Sequence, residues 1–167
     1  MSVTDIESAA PSTARPVTDI PSMLLPVGDK QLLLPGVAVA EIVNYSYPER
    51  PDDAPAWFYG NITWRKLSVP VVSFEILNGQ EMPRNTSGRR IAVLNNTGVH
   101  DALPFIAIVI QGIPRLVRIT TKDITEETGL SLAPAERMAA RLANSELVFV
   151  PDVGELERAC CKYQQLR

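Results

Sequence analysis

The side chains with the greatest capacity for chemistry form a basic and aromatic group near the middle of the chain. Arg65 and Lys66 are adjacent in the segment WFYGNITWRKLSVPVVSFEIL, and four aromatic residues precede them within eight positions. An arginine presents a rigid fork of donors that suits a carboxylate, and Glu41 in an earlier segment is a candidate partner. Aromatic residues combined with arginine are enriched at protein contacts. The group therefore favours a contact with another protein, and the alternative is an ordinary solvent-exposed strand turn.

Residues suited to catalysis or metal binding are few and scattered. His100, the single histidine, stands beside Asp101 in a polar turn, and no serine or cysteine occupies a strand-turn-helix elbow. Cys160 and Cys161 are adjacent, so a bridge between them would be strained, and we interpret them as packing residues. No spacing matches a metal site or a phosphate-binding loop. The sequence therefore predicts no enzyme activity, no metal and no cofactor.

Charge and hydropathy narrow the range of partners further. The chain of 167 residues has a net charge of -3, which argues against binding to nucleic acid or to anionic membranes. The longest apolar run, residues 103–110, is far too short to span a membrane, and the N-terminus lacks the pattern of a signal peptide. Two unpaired cysteines suit a reducing compartment. We therefore expect a cytoplasmic protein with no nucleic-acid partner and no membrane insertion.

The elements that must position the basic pair are short strands joined by rigid turns. Prolines (14) outnumber glycines (9), which is typical of many short elements. Residues 1–20 are rich in Ser, Thr, Ala and Pro and predict a flexible N-terminal tail, so that 21–167 form the folded domain. A hairpin is predicted to turn at Gly28-Asp29. Further strands are predicted at 37–43, with Val37 facing inward, at 91–96, 103–110, 115–121 and 146–150.

The strand that follows the basic pair has an unusual alternation. Leu67, Val69 and Val71 occupy odd positions, whereas Val72, Phe74 and Ile76 occupy even positions. This change of phase predicts a strand that bends from one sheet into another, as in small closed or nearly closed barrels.

Helices are predicted mainly near the C-terminus. Apolar residues at Ala135, Met138, Ala139 and Leu142 have helical spacing and predict a helix at 134–143. Residues 152–165 predict a terminal helix, with Val153, Leu156 and Cys160 on its buried side. A short helical turn is predicted after Asp53 and would end at Gly60. The segment DITEETG, 123–129, is interpreted as a solvated turn.

In the order and spacing of its motifs, the sequence resembles the CheW-like family, the coupling proteins of bacterial chemosensory arrays. VAEIV, 39–43, is similar to the family's Val-x-Glu-Ile/Val segment, which places Glu41 and Val43 in the motif. PAWFYGNITWRKLSVPVVSF, 55–74, resembles the family's proline turn, aromatic, Gly, Asn-x-x-Arg-Gly and apolar strand. In that alignment Gly60 and Arg65 match, and Thr63 holds the usual position of the asparagine. The resemblance covers residues 21–162 and is specific over 37–77.

The resemblance implies a mainly β fold of two small five-stranded, SH3-like β-barrel subdomains with a few short helices. It also implies a non-catalytic adaptor that couples chemoreceptors to a CheA-type histidine kinase. The helical hairpin at the receptor's cytoplasmic tip would lie in a groove between the barrels, and the barrel edges would contact the kinase regulatory domain. Glu41, Val43, Gly60, Thr63, Arg65 and Lys66 are then the expected partner-binding residues.

Several residues depart from the family pattern and support an alternative. Lys66 stands where the family usually has glycine, and Gln111 replaces an expected aspartate. Divergent relatives occur in chemosensory systems that control type IV pili. The alternative is therefore an accessory or scaffold protein of twitching motility that binds neither kinase nor receptor in the usual way.

Overall fold

The structure, a computed structural model, describes residues 19–165. Nearly all of the predicted tail at 1–20 lies outside the described residues, as do the last two residues of the chain. The first six strands are β1 (Ile20–Val27), β2 (Lys30–Pro35), β3 (Val39–Asn44), β4 (Phe58–Trp64), β5 (Leu67–Val72) and β6 (Arg90–Asn95). The remaining strands are β7 (Phe105–Ile110), β8 (Arg115–Ile119), β9 (Ile124–Glu126), β10 (Glu136–Leu142) and β11 (Leu147–Pro151). The helices are α1 (Phe74–Leu77) and α2 (Val153–Gln165), and Gly36–Ala38 form one 3₁₀ turn.

The strands form two sheets, which confirms the predicted mainly β fold with two subdomains. One sheet has six strands in the order β8-β1-β2-β11-β10-β9, one more than expected, and the other has five in the order β3-β6-β7-β5-β4. Most neighbouring strands are antiparallel, but β2 pairs with β11 and β5 pairs with β7 in parallel. The five-stranded sheet is therefore built from one continuous part of the chain, and the six-stranded sheet is built from both of its ends.

Each sheet curls around its own small apolar core, and a larger core lies between the sheets. Ile62, Val69 and Val93 belong to the core inside the five-stranded sheet, and Leu24 and Val148 belong to that of the six-stranded sheet. The large core combines residues of both sheets with the buried side of α2, including Leu25, Phe58, Val72, Leu156 and Cys160. Because both sheets contribute to this core, the two subdomains pack as one body.

Several predicted elements are confirmed. β1 and β2 form the predicted hairpin, with Val27 opposite Lys30 and Gly28 at a φ of 53°, the left-handed conformation that glycine adopts at little cost. The strands expected at 91–96, 103–110, 115–121 and 146–150 correspond to β6, β7, β8 and β11. The terminal helix is α2, and Val153, Leu156 and Cys160 are buried as expected.

The helix predicted at 134–143 is wrong, because this segment is strand β10, which pairs with β9 and β11. A bulge between Glu136 and Met138 shifts the pairing and hides the two-residue period in the sequence. Ala139 faces the large core and Ala140 faces the core of the six-stranded sheet, so both faces of the strand are buried. Tertiary packing here outweighs the helix propensity of a segment rich in Ala and Arg.

The interpretation of the strand at 67–76 as one that bends between sheets is also wrong. β5 remains in the five-stranded sheet and ends at Val72, and Phe74 already lies in α1. The change of phase arises because β5 is buried on both faces: Val71 lies in the core inside the five-stranded sheet, and Val72 lies in the large core between the sheets. Ser73 starts α1, and its hydroxyl accepts a hydrogen bond from the Ile76 amide at 3.2 Å.

Three smaller expectations also differ from the structure. No helix follows Asp53, and Gly60 lies within β4, where a bulge shifts the pairing with β5. The segment 123–129 contains strand β9 rather than only a solvated turn. Val37 is not inward-facing, because it lies in the 3₁₀ turn with 86% of its surface exposed.

Candidate functional site

The basic pair forms the loop of a two-residue hairpin. Trp64 pairs with Leu67 across the β4–β5 ladder, which leaves only Arg65 and Lys66 to reverse the chain. Their φ angles are 48° and 66°, so both adopt the positive φ that a type I′ turn requires. The tight turn projects both side chains from the end of the hairpin, and both residues are exposed.

Glu41 connects the turn to strand β3. Its Oε2 accepts a hydrogen bond from the indole nitrogen of Trp64 at 2.5 Å, and the Arg65 guanidinium lies 3.7 Å from the same oxygen. Arg65 also stacks over the Trp64 ring at 4.6 Å from its centroid, and Trp64 packs edge-on against Phe105 at 4.7 Å. Glu41 and Trp64 therefore hold Arg65 in a defined position while 67% of its side chain remains exposed. The sequence predicted the pairing of Glu41 with Arg65, but not the parts played by Trp64 and Phe105.

These contacts also join the two edges of the five-stranded sheet. Glu41 lies on β3 and Trp64 on β4, the strands at opposite ends of the sheet order. The chain that follows β3 adds a backbone bridge: the amides of Glu49 and Asn61 each donate to the other residue's carbonyl, at 2.8 and 3.0 Å. The sheet is therefore curled so strongly that its two edges approach each other, although β3 and β4 share no ladder in the described residues; this is compatible with an SH3-like subdomain.

Gly60 allows this approach of the two edges. It is buried, its φ is 117°, and a Cβ atom added to it would lie 2.3 Å from the carbonyl oxygen of Glu49. No side chain fits that space, so Gly60 is required by the backbone geometry. Its burial is consistent with a structural role rather than direct contact with a partner.

The other two expected site residues occupy different environments. Thr63 is exposed on β4 opposite Ser68, one residue before Trp64, and therefore shares the surface of the turn. Val43 is half-buried and packs against the inner core of the five-stranded sheet. The structure thus brings Glu41, Thr63, Arg65 and Lys66 to one end of the subdomain. Gly60 and Val43 are buried or half-buried and belong to the framework of the sheet.

A second surface feature, which the sequence did not indicate, is a pair of exposed apolar residues where the two sheets meet. Leu116 on β8 is 78% exposed and lies opposite Met23, which packs against the large core. Val37 lies in the 3₁₀ turn, next to Gly36, which is close to the carbonyl of Pro21 in β1. The carbonyl of Val37 accepts a hydrogen bond from the side-chain amide of Asn95 in β6. Val37 and Leu116 therefore flank the first half of β1. Both residues are therefore candidates for contact with a partner.

His100 and Cys160, two side chains with capacity for chemistry, lie in surroundings that do not activate them. His100 lies in an exposed turn, where its Nδ1 accepts a hydrogen bond from the amide of Ala102. Burial raises the pKa of the Cys160 thiol to about 12, so that it stays protonated and unreactive at neutral pH. Within residues 19–165, no group of three or more His, Cys, Asp or Glu side chains is placed to hold a metal ion. No helix of that same part of the chain is long and apolar enough to cross a membrane.

Comparison with known proteins agrees with this geometry. The crystal structure of the scaffolding protein TtCheW from Thermoanaerobacter tengcongensis is similar in fold, with a TM-score of 0.68 and 12% sequence identity. The alignment covers 80% of this chain and 89% of that chain. No curated protein sequence matches. Residues 21–159 match the CheW-like domain family, and because this match spans most of the sequence, the chain belongs to the CheW-like domain family.

Proposed function

We propose that the protein is a non-catalytic adaptor of a chemosensory array, which couples the cytoplasmic tip of a chemoreceptor to the regulatory domain of a CheA-type histidine kinase. Family membership supports this role, and the observation that carries it is the braced, exposed arginine at the β4–β5 turn. Such an adaptor acts in the cytoplasm, where the receptor tip and the kinase lie. It needs no active site, because coupling requires only contacts that differ between the states of the array.

The Arg65 turn supplies a contact of defined geometry. Glu41 neutralises part of the arginine's charge and Trp64 limits its rotamers, so less side-chain entropy is lost when a partner binds. Lys66 and Thr63 extend the same surface, and Lys66 forms no ion pair within the described part of the chain. We assign this surface to the contact with the kinase regulatory domain.

The exposed apolar residues are assigned to the receptor. The receptor tip is a helical hairpin, and an amphipathic helix binds by placing apolar side chains into an apolar groove. Val37 and Leu116 both lie beside β1 and are exposed, which supports placing the receptor contact there. The two partners would then use different surfaces and could bind at the same time.

The kinase assignment is tested by replacing Arg65 with glutamate and measuring binding to the purified kinase regulatory domain by titration calorimetry. We expect a loss of affinity of roughly tenfold or more, since removal of a hot-spot arginine costs about 2 kcal/mol or more and about 1.4 kcal/mol corresponds to tenfold. The free energy of unfolding should stay within about 1 kcal/mol of wild type, because most of the Arg65 side chain is exposed.

Arg137→Glu is the matched control for this test. Arg137 is also an exposed arginine, so its replacement by glutamate changes the net charge by the same amount, but it lies on β10 of the other sheet. Equal affinity of the Arg65 variant and wild type would refute the contact, and unfolding of the Arg65 variant would show that the residue is a structural brace. If wild type binds neither the kinase domain nor the receptor tip, the pilus-system accessory role becomes the better assignment.

A further inference from the structure

A pocket of about 370 Å³ lies beside the end of β3, and neither Arg65 nor Lys66 lines it. It lies between the loop that follows β3, strand β4, helix α1 and the residues that precede β6. Its lining includes three tyrosines, two arginines and one methionine: Tyr45, Tyr47, Tyr59, Arg50, Arg89 and Met82. No aspartate or glutamate is part of the lining. The volume lies within the range of small-molecule sites, about 300–1,000 Å³.

Within the part of the chain that the structure describes, the two arginines of the pocket have no acidic partner. Neither Arg50 nor Arg89 forms an ion pair with any carboxylate in residues 19–165. The Nε of Arg89 is buried and, within the same residues, has no hydrogen-bond partner. Arg50 donates only to the backbone carbonyls of Ala54 and Pro55, at 3.0 and 3.1 Å, which fixes its position and leaves other donors available. In a protein with a net charge of -3, two unpaired guanidinium groups in one pocket favour an anionic ligand.

The tyrosines supply flat surfaces next to these charges. The Arg89 guanidinium lies 3.9 Å from the centroid of the Tyr45 ring, and Tyr47 packs edge-on against Tyr45 at 5.4 Å. Tyr47 is 85% exposed, so its ring is accessible to another planar group. Tyr59 closes one side of the pocket, and burial raises the pKa of its hydroxyl, which therefore stays protonated at neutral pH. Glu75, the carboxylate that also raises this pKa, is bound by Ser73 and Gln111.

We propose that this pocket binds a small ligand in which a planar aromatic ring carries a phosphate group, the chemistry of a nucleotide. The phosphate pairs with the donors of Arg89 and Arg50, and its charge of about -2 at neutral pH balances the two guanidinium groups. The ring stacks on the exposed face of Tyr47. The lining of the pocket includes none of Arg65, Lys66, Val37 and Leu116, although Tyr47 lies close to Thr63 of the proposed kinase contact. A ligand bound there would give the protein a second, small-molecule input.

The proposal is tested with the full chain and four probes: GMP, AMP, CMP and UMP. Ribose 5-phosphate, which lacks the ring, and the corresponding nucleosides, which lack the phosphate, separate the two parts of the recognition. We expect at least one nucleotide to bind roughly tenfold or more tightly than its nucleoside and than ribose 5-phosphate in titration calorimetry. Affinity should also fall as the salt concentration rises.

Variants locate the binding in the pocket. Tyr47→Ala should weaken binding roughly tenfold through the loss of stacking, and because Tyr47 is 85% exposed its removal leaves the core intact. Arg89→Gln should weaken binding by a similar factor by removing one charge. Arg137→Ala, which removes an exposed arginine on the other sheet, should bind as wild type does. The proposal is overturned if no nucleotide binds more tightly than ribose 5-phosphate, or if Tyr47→Ala binds as well as wild type.

Discussion

Arg65 and Lys66 reverse the chain with φ angles of 48° and 66°, at positions where a type I′ turn usually has asparagine or glycine. Each such residue costs about 1–2 kcal/mol relative to the right-handed region. Arg65 recovers part of this cost through Glu41 and the Trp64 ring, whereas Lys66 has no ion pair in the described residues. Backbone strain of this kind is concentrated at functional surfaces. At Lys66 it is consistent with a side chain kept for contact with a partner rather than for stability.

Lys66→Gly should therefore stabilise the fold. Glycine adopts positive φ without the steric penalty, and the gain should exceed the loss of backbone entropy, for a net increase of up to about 1 kcal/mol in the free energy of unfolding. Urea denaturation measures this change. Lys122→Gly is the matched control, because Lys122 is also exposed in a turn but is not among the residues with positive φ, and this variant should be destabilised. Stabilisation of both variants, or of neither, would contradict the strain at Lys66.

At the scale of elements, secondary structure was predicted correctly where it depends on a local pattern and incorrectly where it depends on pairing with distant strands. The β1–β2 hairpin and α2 follow from turn chemistry and helical periodicity, and both are confirmed. The sequence of β10 predicted a helix because its bulge breaks the alternation of apolar residues that is typical of a strand. Its pairing with β9 and β11 also cannot be inferred from its own residues. For the site, the charge pair of Glu41 and Arg65 was predictable from residue types. The role of Gly60 was not, because it depends on Glu49, which approaches only when the sheet curls.

Gly60→Ala should destabilise the five-stranded sheet severely. The new methyl group would overlap the Glu49 carbonyl, so the edge bridge between Glu49 and Asn61 must break or the strands must separate. We expect a loss of more than about 3 kcal/mol in the free energy of unfolding. Gly79→Ala is the matched control, since Gly79 also has a positive φ of 80° but nothing lies within 4 Å of the position that its new Cβ atom would take. A similar loss in both variants would attribute the effect to φ alone and refute the steric explanation.

At the scale of the whole molecule, the core between the sheets makes the two subdomains dependent on each other. Cys160 of α2 is completely buried there, together with Leu25 of the six-stranded sheet and Phe58 of the five-stranded sheet. Burial is the main cause that raises the pKa of Cys160 to about 12, with smaller contributions from Cys161 and Glu157. The ionisation of this thiol therefore reports whether the two sheets are packed together.

Stability should decrease as the pH rises above about 9. The unfolded chain loses the Cys160 proton near the ordinary thiol pKa of 9.0, whereas the folded protein keeps it until about 12. Between these values the unfolded state binds fewer protons, so the free energy of unfolding falls by up to about 1.4 kcal/mol per pH unit. Urea denaturation at about pH 8 and about pH 10 measures the slope. Cys160→Ala should show a smaller decrease than wild type, and an equal decrease would contradict the assignment to this thiol.

The division of the chain between the two sheets has a consequence for its synthesis. Strands β3–β7 make up the whole five-stranded sheet, and all of them emerge from the ribosome before β8. Strands β1 and β2 emerge before β3, but β2 pairs with β11, which is made last of all the strands. The five-stranded sheet can therefore pair its strands during translation. The hairpin of β1 and β2 lacks its neighbours β8 and β11 until those strands are made, and during that interval its leucine-rich strands have unpaired edges that other chains could join.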